Sequence, residues 1–253
     1  MNFAYVTIAT DERYLKGAYK LYQSYLKTNS KYPFYCMVWK ETDTQNYEDL
    51  PTIIIPKFLP TNKRFGYNPP VGVFARICAW LLKDFDYVLC LDSDFVFYQN
   101  IDNIIDIYLQ TPNNDVIMPI VKNPVNAHDY YNCAWMFIKP NEKTFIKATL
   151  YFNISAHEGE VITYMADNND IKITDCTNLP NLFDYIFHFN NWYINQKYWE
   201  NILGNKIYDM IISNPDIVPV IKEIQVLIAI QPYEFMRFDK DDNPVQWKFK
   251  TPY

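Results

Sequence analysis

The sequence predicts an α/β fold: a mixed, mostly parallel central sheet flanked by helices. Three observations carry that prediction. A β-branched, aromatic run at the start is followed at once by a helical pattern, which makes a βα unit. The next two runs are near-continuously apolar, as strands covered on both faces are. Strand-like and helix-like patterns then continue along the chain without a linker, repeat or low-complexity tract.

The elements follow in order. "FAYVTIAT" gives a strand over 3–9, rich in residues that suit a pleated surface. Asp11 starts a helix in which Tyr14, Ala18, Leu21, Tyr22, Tyr25 and Leu26 recur at helical spacing on one face. "FYCMVW" (34–39) and "TIIIP" (52–56) are further strands, and a polar, Pro-bearing stretch (56–70) separates them from a helix over 71–85. "YVLCL" (87–91) is the next strand, with Asp92 and Asp94 at its C-terminal end. Strands are expected at 115–121 and 133–139 and helices at 141–152 and 158–168, while 221–235 fits either pattern. One domain over 1–253 is expected, with residues up to about 98 forming a nucleotide-binding half and 99–253 an acceptor and metal half. Ligands of such sheets bind at the carboxyl ends of the strands, where Thr10, Asp11, Asp92 and Asp94 fall.

Composition narrows the partners. A net charge of -6 over 253 residues argues against a nucleic-acid surface, which needs clustered Lys and Arg. The five cysteines are spread without a CxxC pair and sit mostly in apolar runs, the pattern of buried thiols in a reducing compartment. No apolar window approaches 18 residues, and "MNFAYVTIATDER" lacks the basic start and apolar stretch of a signal peptide. The expectation is a soluble, cytoplasmic protein without a membrane span.

The chemistry centres on "DYVLCLDSDFVFYQN" (86–100), where a strand stops for two aspartates one residue apart. Asp92, Ser93 and Asp94 can simply make a turn, since Asp and Ser do this well. Two carboxylates at that spacing in a turn can also converge on a hard cation, Mn²⁺ or Mg²⁺, that holds a diphosphate. Three histidines are candidates for a third ligand. His128 and His157 lie in polar, loop-like segments, whereas His188 ends a short aromatic strand-like run, where an imidazole needs a partner.

Four stretches in the same order resemble glycosyltransferase family 8, the glycogenin-like and bacterial lipopolysaccharide galactosyltransferase-like enzymes of the Rossmann-like GT-A fold. "YVTIATDERYLKGAYKLYQSYL" (5–26) is similar to the family's nucleoside-binding opening, which implies that Ile8, Thr10 and Asp11 line the nucleoside and that Tyr14 stacks on the base. "FARICAWLLKDFDYVLCLDSD" (74–94) places Arg76 sixteen positions before Asp92, where the family has a basic residue aimed at the donor sugar, diphosphate or DxD carboxylates. "YYNCAWMFIKP" (130–140) is similar to the family's F-N-S-G-V-F segment, with Asn132 keeping the amide that contacts the donor sugar. "HFNNWYINQKYW" (188–199) resembles H-F-x-G-x-x-K-P-W, which implies His188 as a metal ligand beside Asp92 and Asp94.

Departures accompany the match. Asn191 replaces the glycine of the fourth motif, and Ile194 stands at the lysine position unless three residues are inserted, when Lys197 takes the diphosphate role. Where the family has an Asp-Gln pair near the anomeric carbon, this chain offers Glu160 and Val161. The resemblance implies a retaining, Mn²⁺-dependent transfer of glucose or galactose from UDP-glucose or UDP-galactose. Arg76, Asp92, Asn132 and Glu160 would serve the reaction, and Ser93, Asn191 and Lys197 would complete the donor contacts. A glycan, a protein or the chain's own tyrosine are the acceptors it implies, Tyr185 and Tyr193 lying near His188, and a homodimer is common in the glycogenin branch. Two rivals stand beside it. Missing Gly and Gln positions fit a non-catalytic nucleotide-sugar or glycan-binding module. "DSDFV" with "DKDDN" (239–243) fits the acidic motifs of haloacid-dehalogenase-like phosphatases, although some 90 residues precede the first.

Overall fold

The computed structural model describes residues 1–57, 71–111, 115–121, 130–152, 154–155, 158–176, 179–180, 182, 186–188, 237–238 and 244–245. The first strand, β1 (Phe3–Ala9), leads through Asp11 into α1 (Glu12–Leu26), and β2 (Phe34–Trp39) and β3 (Thr52–Ile55) follow. A 3₁₀ helix (Val71–Leu81) precedes β4 (Tyr87–Leu91) and β5 (Phe95–Phe97). Then come α2 (Asp102–Gln110), β6 (Val116–Met118), β7 (Ile120–Val121), β8 (Tyr130–Tyr131) and β9 (Trp135–Ile138). Helices α3 (Glu142–Tyr151) and α4 (Glu158–Asp167), strands β10 (Ile173–Asp175) and β11 (Ile186–His188), and an antiparallel pair β12 (Arg237–Phe238) and β13 (Pro244–Val245) complete the described elements.

Seven strands form one sheet in the order β10-β6-β9-β4-β1-β2-β3, and only β9 runs antiparallel to its neighbours. The mixed, mostly parallel sheet expected from the sequence is therefore present. After β1 the chain lays β2 and β3 to one side, then returns to place β4 on the other. The order thus reverses between β1 and β4, and in open α/β sheets the crevice outside the strand ends at such a reversal is where ligands bind.

Period-two alternation distributes the core over both faces. Phe3 and Tyr5 join Leu15, Ala18 and Leu21 of α1 and Ile104, Ile105 and Tyr108 of α2 on one side. Ala4 and Val6 join the 3₁₀ helix, Phe145 and Ala148 of α3, and Val161, Ile162 and Met165 of α4 on the other. Each large apolar side chain buried this way contributes about 1.5–3 kcal/mol relative to exposure.

Three expected elements differ from those observed. The strand over 115–121 is split, because Pro119 carries no N–H for a ladder and its carbonyl instead accepts from Asn132 N at 3.0 Å. The strand after it starts at Trp135 rather than Cys133, since Asn132 Oδ1 accepts from Ala134 N at 2.9 Å and makes a turn first. The helix over 71–85 is 3₁₀ and ends at Leu81. The chain beyond is drawn to the start of β1, where Asp86 N donates to Asn2 O at 2.8 Å and Asn2 N to Asp86 Oδ2 at 2.6 Å. The segment 221–235 lies outside the described residues.

Candidate functional site at the β1 and β4 strand ends

The two central strands deliver their C-terminal loops side by side. Thr7 and Leu91 are register partners, and the buried Thr7 Oγ1 donates to Leu91 O at 2.9 Å, which ties the ends together. Asp92 N then donates to Ala134 O at 2.9 Å, carrying the ladder toward β9 one step further. Phe95 N donates to Asp92 O at 3.4 Å and closes the turn that holds Ser93 and Asp94. Helix α1 presses on this turn: a Cβ added to Gly17 would sit 2.9 Å from Ser93 O. The missing side chain at position 17 is what lets helix and turn touch.

Arg76 lies behind the turn. The 3₁₀ helix that carries it is buried at every position from Ala75 to Trp80, so its one guanidinium must find anions inside the protein. It does so by three contacts. Arg76 Nη2 pairs with Asp92 Oδ1, Nη1 lies 3.3 Å from Glu158 Oε1, and Nη1 also donates to Cys133 O. Arg76 is only 7% exposed, and its Nε is buried with no acceptor among the described residues. Removing one partner from a buried charge network of this kind typically costs 3–5 kcal/mol, on the order of a third of a domain's stability. Cys90 and Cys133 share this environment: burial pushes the Cys90 thiol up to about 12, Arg76 pulls it down and Glu158 pushes it up. The Cys133 thiol is raised too, by burial first and by Glu158 second.

The other expected residues take distinct places. Ile8 packs against the face covered by the 3₁₀ helix, and Thr10 is half-buried just beyond β1. Asp11 caps α1, accepting from Tyr14 N at 3.1 Å, and Tyr14 is 40% exposed on the first turn. Asn132 is buried, its side-chain oxygen shaping the turn into β9. Strand β11 pairs antiparallel with β5 so that His188 is the register partner of Phe95, one residue past Asp94. The backbone of His188 therefore lies beside the DSD turn, although the two are far apart in sequence. The side chain of His188 and residues Asn191, Lys197, His128, His157, Tyr185 and Tyr193 lie outside what is described. Among the described residues no three His, Cys, Asp or Glu side chains form a metal cage.

Glu158 is the residue that sequence reasoning missed. It stands at the start of α4 and reaches Arg76, whereas Glu160, half-buried, sits about 200° further round the helix. The signal was present in the pattern. Glu158 falls four and seven residues before the fully buried Ile162 and Met165, on their face of α4, and a carboxylate on a buried face requires a cationic partner.

The chemistry of the donor set fits a hard dication. Asp92 and Asp94 offer carboxylate oxygens from one turn, the ligands that Mn²⁺ and Mg²⁺ take.

No family model matches the sequence, and no curated protein matches it. Among solved structures, the chain is similar to the apo form of the glycosyltransferase GlyE of Streptococcus pneumoniae TIGR4, at 16% identity and a TM-score of 0.47, over 70% of this chain and 46% of that one. It is similar to the apo bifunctional glycosyltransferase WbbM at 14% identity and a TM-score of 0.45, over 64% of this chain and 37% of that one. A third is galactosyltransferase LgtC in complex with donor and acceptor sugar analogs, at 12% identity and a TM-score of 0.45, over 67% of this chain and 66% of that one. The chain spans less than half the length of the first two.

Proposed function

We propose that this chain is a retaining glycosyltransferase of the GT-A type that moves glucose or galactose from UDP-glucose or UDP-galactose to an acceptor hydroxyl. The observation that supports this most is the placement, at the reversal of strand order, of the β1 end beside a DSD turn backed by a buried arginine. On this reading Ile8, Thr10 and Asp11 receive the nucleoside, and the exposed ring of Tyr14 offers a flat face for the base. Asp92, Asp94 and His188 hold Mn²⁺ or Mg²⁺, with Ser93, Asn191 and Lys197 beside the diphosphate. Bound there, the cation neutralises negative charge on the departing nucleoside diphosphate. Asn132 and Glu160 orient the hexose, and Arg76 supplies fixed positive charge close to the leaving group. The acceptor is a glycan, a protein or a tyrosine of the chain itself.

Calorimetric titration of UDP with and without Mn²⁺, for wild type and Asp94→Asn, tests the reading. Binding that requires the metal and weakens about tenfold or more in the variant is expected, since carboxylate ligands dominate affinity at such sites. Absence of UDP binding under every condition overturns it. A donor-hydrolysis panel then separates a transferase from a non-catalytic nucleotide-sugar binder, which leaves UDP-sugars intact.

A further inference from the structure

We infer that the outer edge of β3 pairs with the same edge of a second copy of this chain, joining two seven-stranded sheets into one across a two-fold axis. The inference goes beyond the function proposed above and does not depend on it.

Three observations carry it. The sheet ends at β3, and no strand of the described residues lies beyond it. The ladder with β2 fixes which backbone groups of β3 face outward. Cys36 N donates to Pro51 O at 2.7 Å, Cys36 and Thr52 are register partners, and so are Val38 and Ile54. In a parallel ladder the residues bonded to the neighbour alternate with residues turned away from it, so Pro51, Ile53 and Ile55 face β2, while Thr52 and Ile54 direct both N–H and C=O outward. Finally, Thr52 is exposed and Ile54 is 66% exposed, although both belong to an uncharged, β-branched run that suits a covered strand. Proteins guard open edges with charged residues or prolines, and between Pro51 and Pro56 this strand has neither.

The edge is self-complementary in hydrogen bonds and in charge. A two-fold axis at Ile53 makes an antiparallel pair in which Thr52 of one copy exchanges both bonds with Ile54 of the other, and Ile54 with Thr52. Pro56 is the next outward position and has no N–H, so the ladder stops there. Asp49 and Lys57 are both exposed and each stand four residues from Ile53, so the same axis sets Asp49 of one copy toward Lys57 of the other at both ends of the contact. Each is already held by its own copy: Asp49 Oδ2 accepts from Tyr19 OH at 3.2 Å, and Lys57 Nζ lies 5.0 Å from the centre of the Trp39 ring. An unrelated extended peptide would match the backbone but not these charges. The axis also turns the strands of the two sheets antiparallel, so the candidate sites at the β1 and β4 ends open in opposite directions and the pairing covers neither.

The test reads association by sedimentation equilibrium over a concentration series. A four-residue edge makes a contact much smaller than a standard interface, so the dimer should be weak, and high salt should weaken it further. Ile54→Pro removes an outward N–H without touching the ladder to β2, and by symmetry deletes two hydrogen bonds across the axis. Its dimer Kd should rise about tenfold or more, with Tm close to wild type. Lys57→Asp should weaken the dimer, and Asp49→Lys added to it should restore association. Wild type alone supplies an independent measurement. The Thr52 and Ile54 amides should exchange hydrogen fast in dilute solution and slowly in concentrated solution, whereas the Ile53 and Ile55 amides should be protected in both. Wild type that stays monomeric to its solubility limit overturns the inference. So does a dimer that Ile54→Pro leaves intact, or one whose formation does not slow exchange at Thr52 and Ile54, since a different surface would then join the copies.

Discussion

Gly17 shows how a residue with no side chain shapes the site. It lies in the middle of α1, where glycine costs about 1 kcal/mol relative to alanine, so its presence needs a reason outside the helix. The reason is Ser93, whose carbonyl oxygen leaves no room for a Cβ. Gly17→Ala gains helix propensity but must push α1 and the DSD turn apart, at a cost of about 1–3 kcal/mol for overpacking. The expected net result is a lower Tm and a weaker UDP affinity measured with Mn²⁺ present. Unchanged affinity in the variant would show that the spacing between α1 and the turn does not matter to the ligand. Thr7 makes a second residue-scale case. Its buried hydroxyl is the donor to Leu91 O, so Thr7→Val keeps the shape but removes that bond. A loss of about 1 kcal/mol in unfolding free energy by denaturant titration is expected, while Thr7→Ser should lose less through this bond because the hydroxyl remains. Equal losses in the two variants would mean that packing, not the hydrogen bond, is what Thr7 supplies.

At the scale of elements, helix α2 shows what the sequence did not make legible and why. It is nine residues long, its N-cap Ile101 makes no side-chain cap, and Asn100 Oδ1 accepts from Asp102 N at 2.8 Å. Beyond that local bond, what fixes it is tertiary. Asp102 accepts from Tyr5 OH at 3.1 Å, Ser30 Oγ at 2.5 Å and Lys31 N at 2.9 Å, and Asp106 accepts from Lys31 Nζ at 2.8 Å and Tyr32 OH at 2.5 Å. These partners are some 70–100 residues away in sequence, so no local pattern could show them. By contrast β1, β2 and β4 were legible to the residue, because unbroken apolar runs between polar breaks carry their own boundaries. The hydrogen bonds from Lys31, then from Tyr32, hold the Asp106 carboxyl below its ordinary range, and those from Lys147 and Tyr151 do the same for Asp170 near α3. A depressed carboxylate contributes stability that is present above its unfolded value of about 3.9 and lost as pH falls through the folded one. Asp106→Asn with Asp170→Asn should therefore lower Tm at pH 7, and the gap to wild type should close as pH drops from about 4 toward 2. A gap that stays constant to the acid end would remove both carboxylates from the pH dependence. High salt should narrow the pH 7 gap, since both ion pairs are partly exposed.

For the whole molecule, the parts of the site that could be read in the sequence are those that one short motif holds together. Asp92 and Asp94 stood out because they end one strand, and Arg76 because the resemblance places a basic residue sixteen positions before the first of them; the structure pairs it with Asp92. Glu158 reaches Arg76 only because α4 folds across the same face of the sheet, and the partnership of His188 with Phe95 needs β11 to return to β5 from some 90 residues away. The same sheet divides the interior in two, yet each central strand serves both sides. Cys36 and Cys176 lie on the α1 and α2 face, and Cys78, Cys90 and Cys133 on the face of the 3₁₀ helix. None of the five forms a disulfide and all are buried, as their apolar settings led one to expect. Burial pushes Cys78 and Cys90 up to about 12, so at pH 8 both stay almost wholly as thiols, and the thiolate is the reactive form. Native protein should therefore be inert to a thiol-reactive disulfide reagent. Because β1, β4 and β9 contribute side chains to both faces, neither can open while the other stays packed. The five thiols should then become reactive in a single cooperative step along a denaturant series, with the midpoint seen by far-UV circular dichroism. Release of two thiols at a denaturant concentration that still protects the other three would mean that the α1 and α2 layer unfolds by itself, and that the shared strands do not couple the two faces.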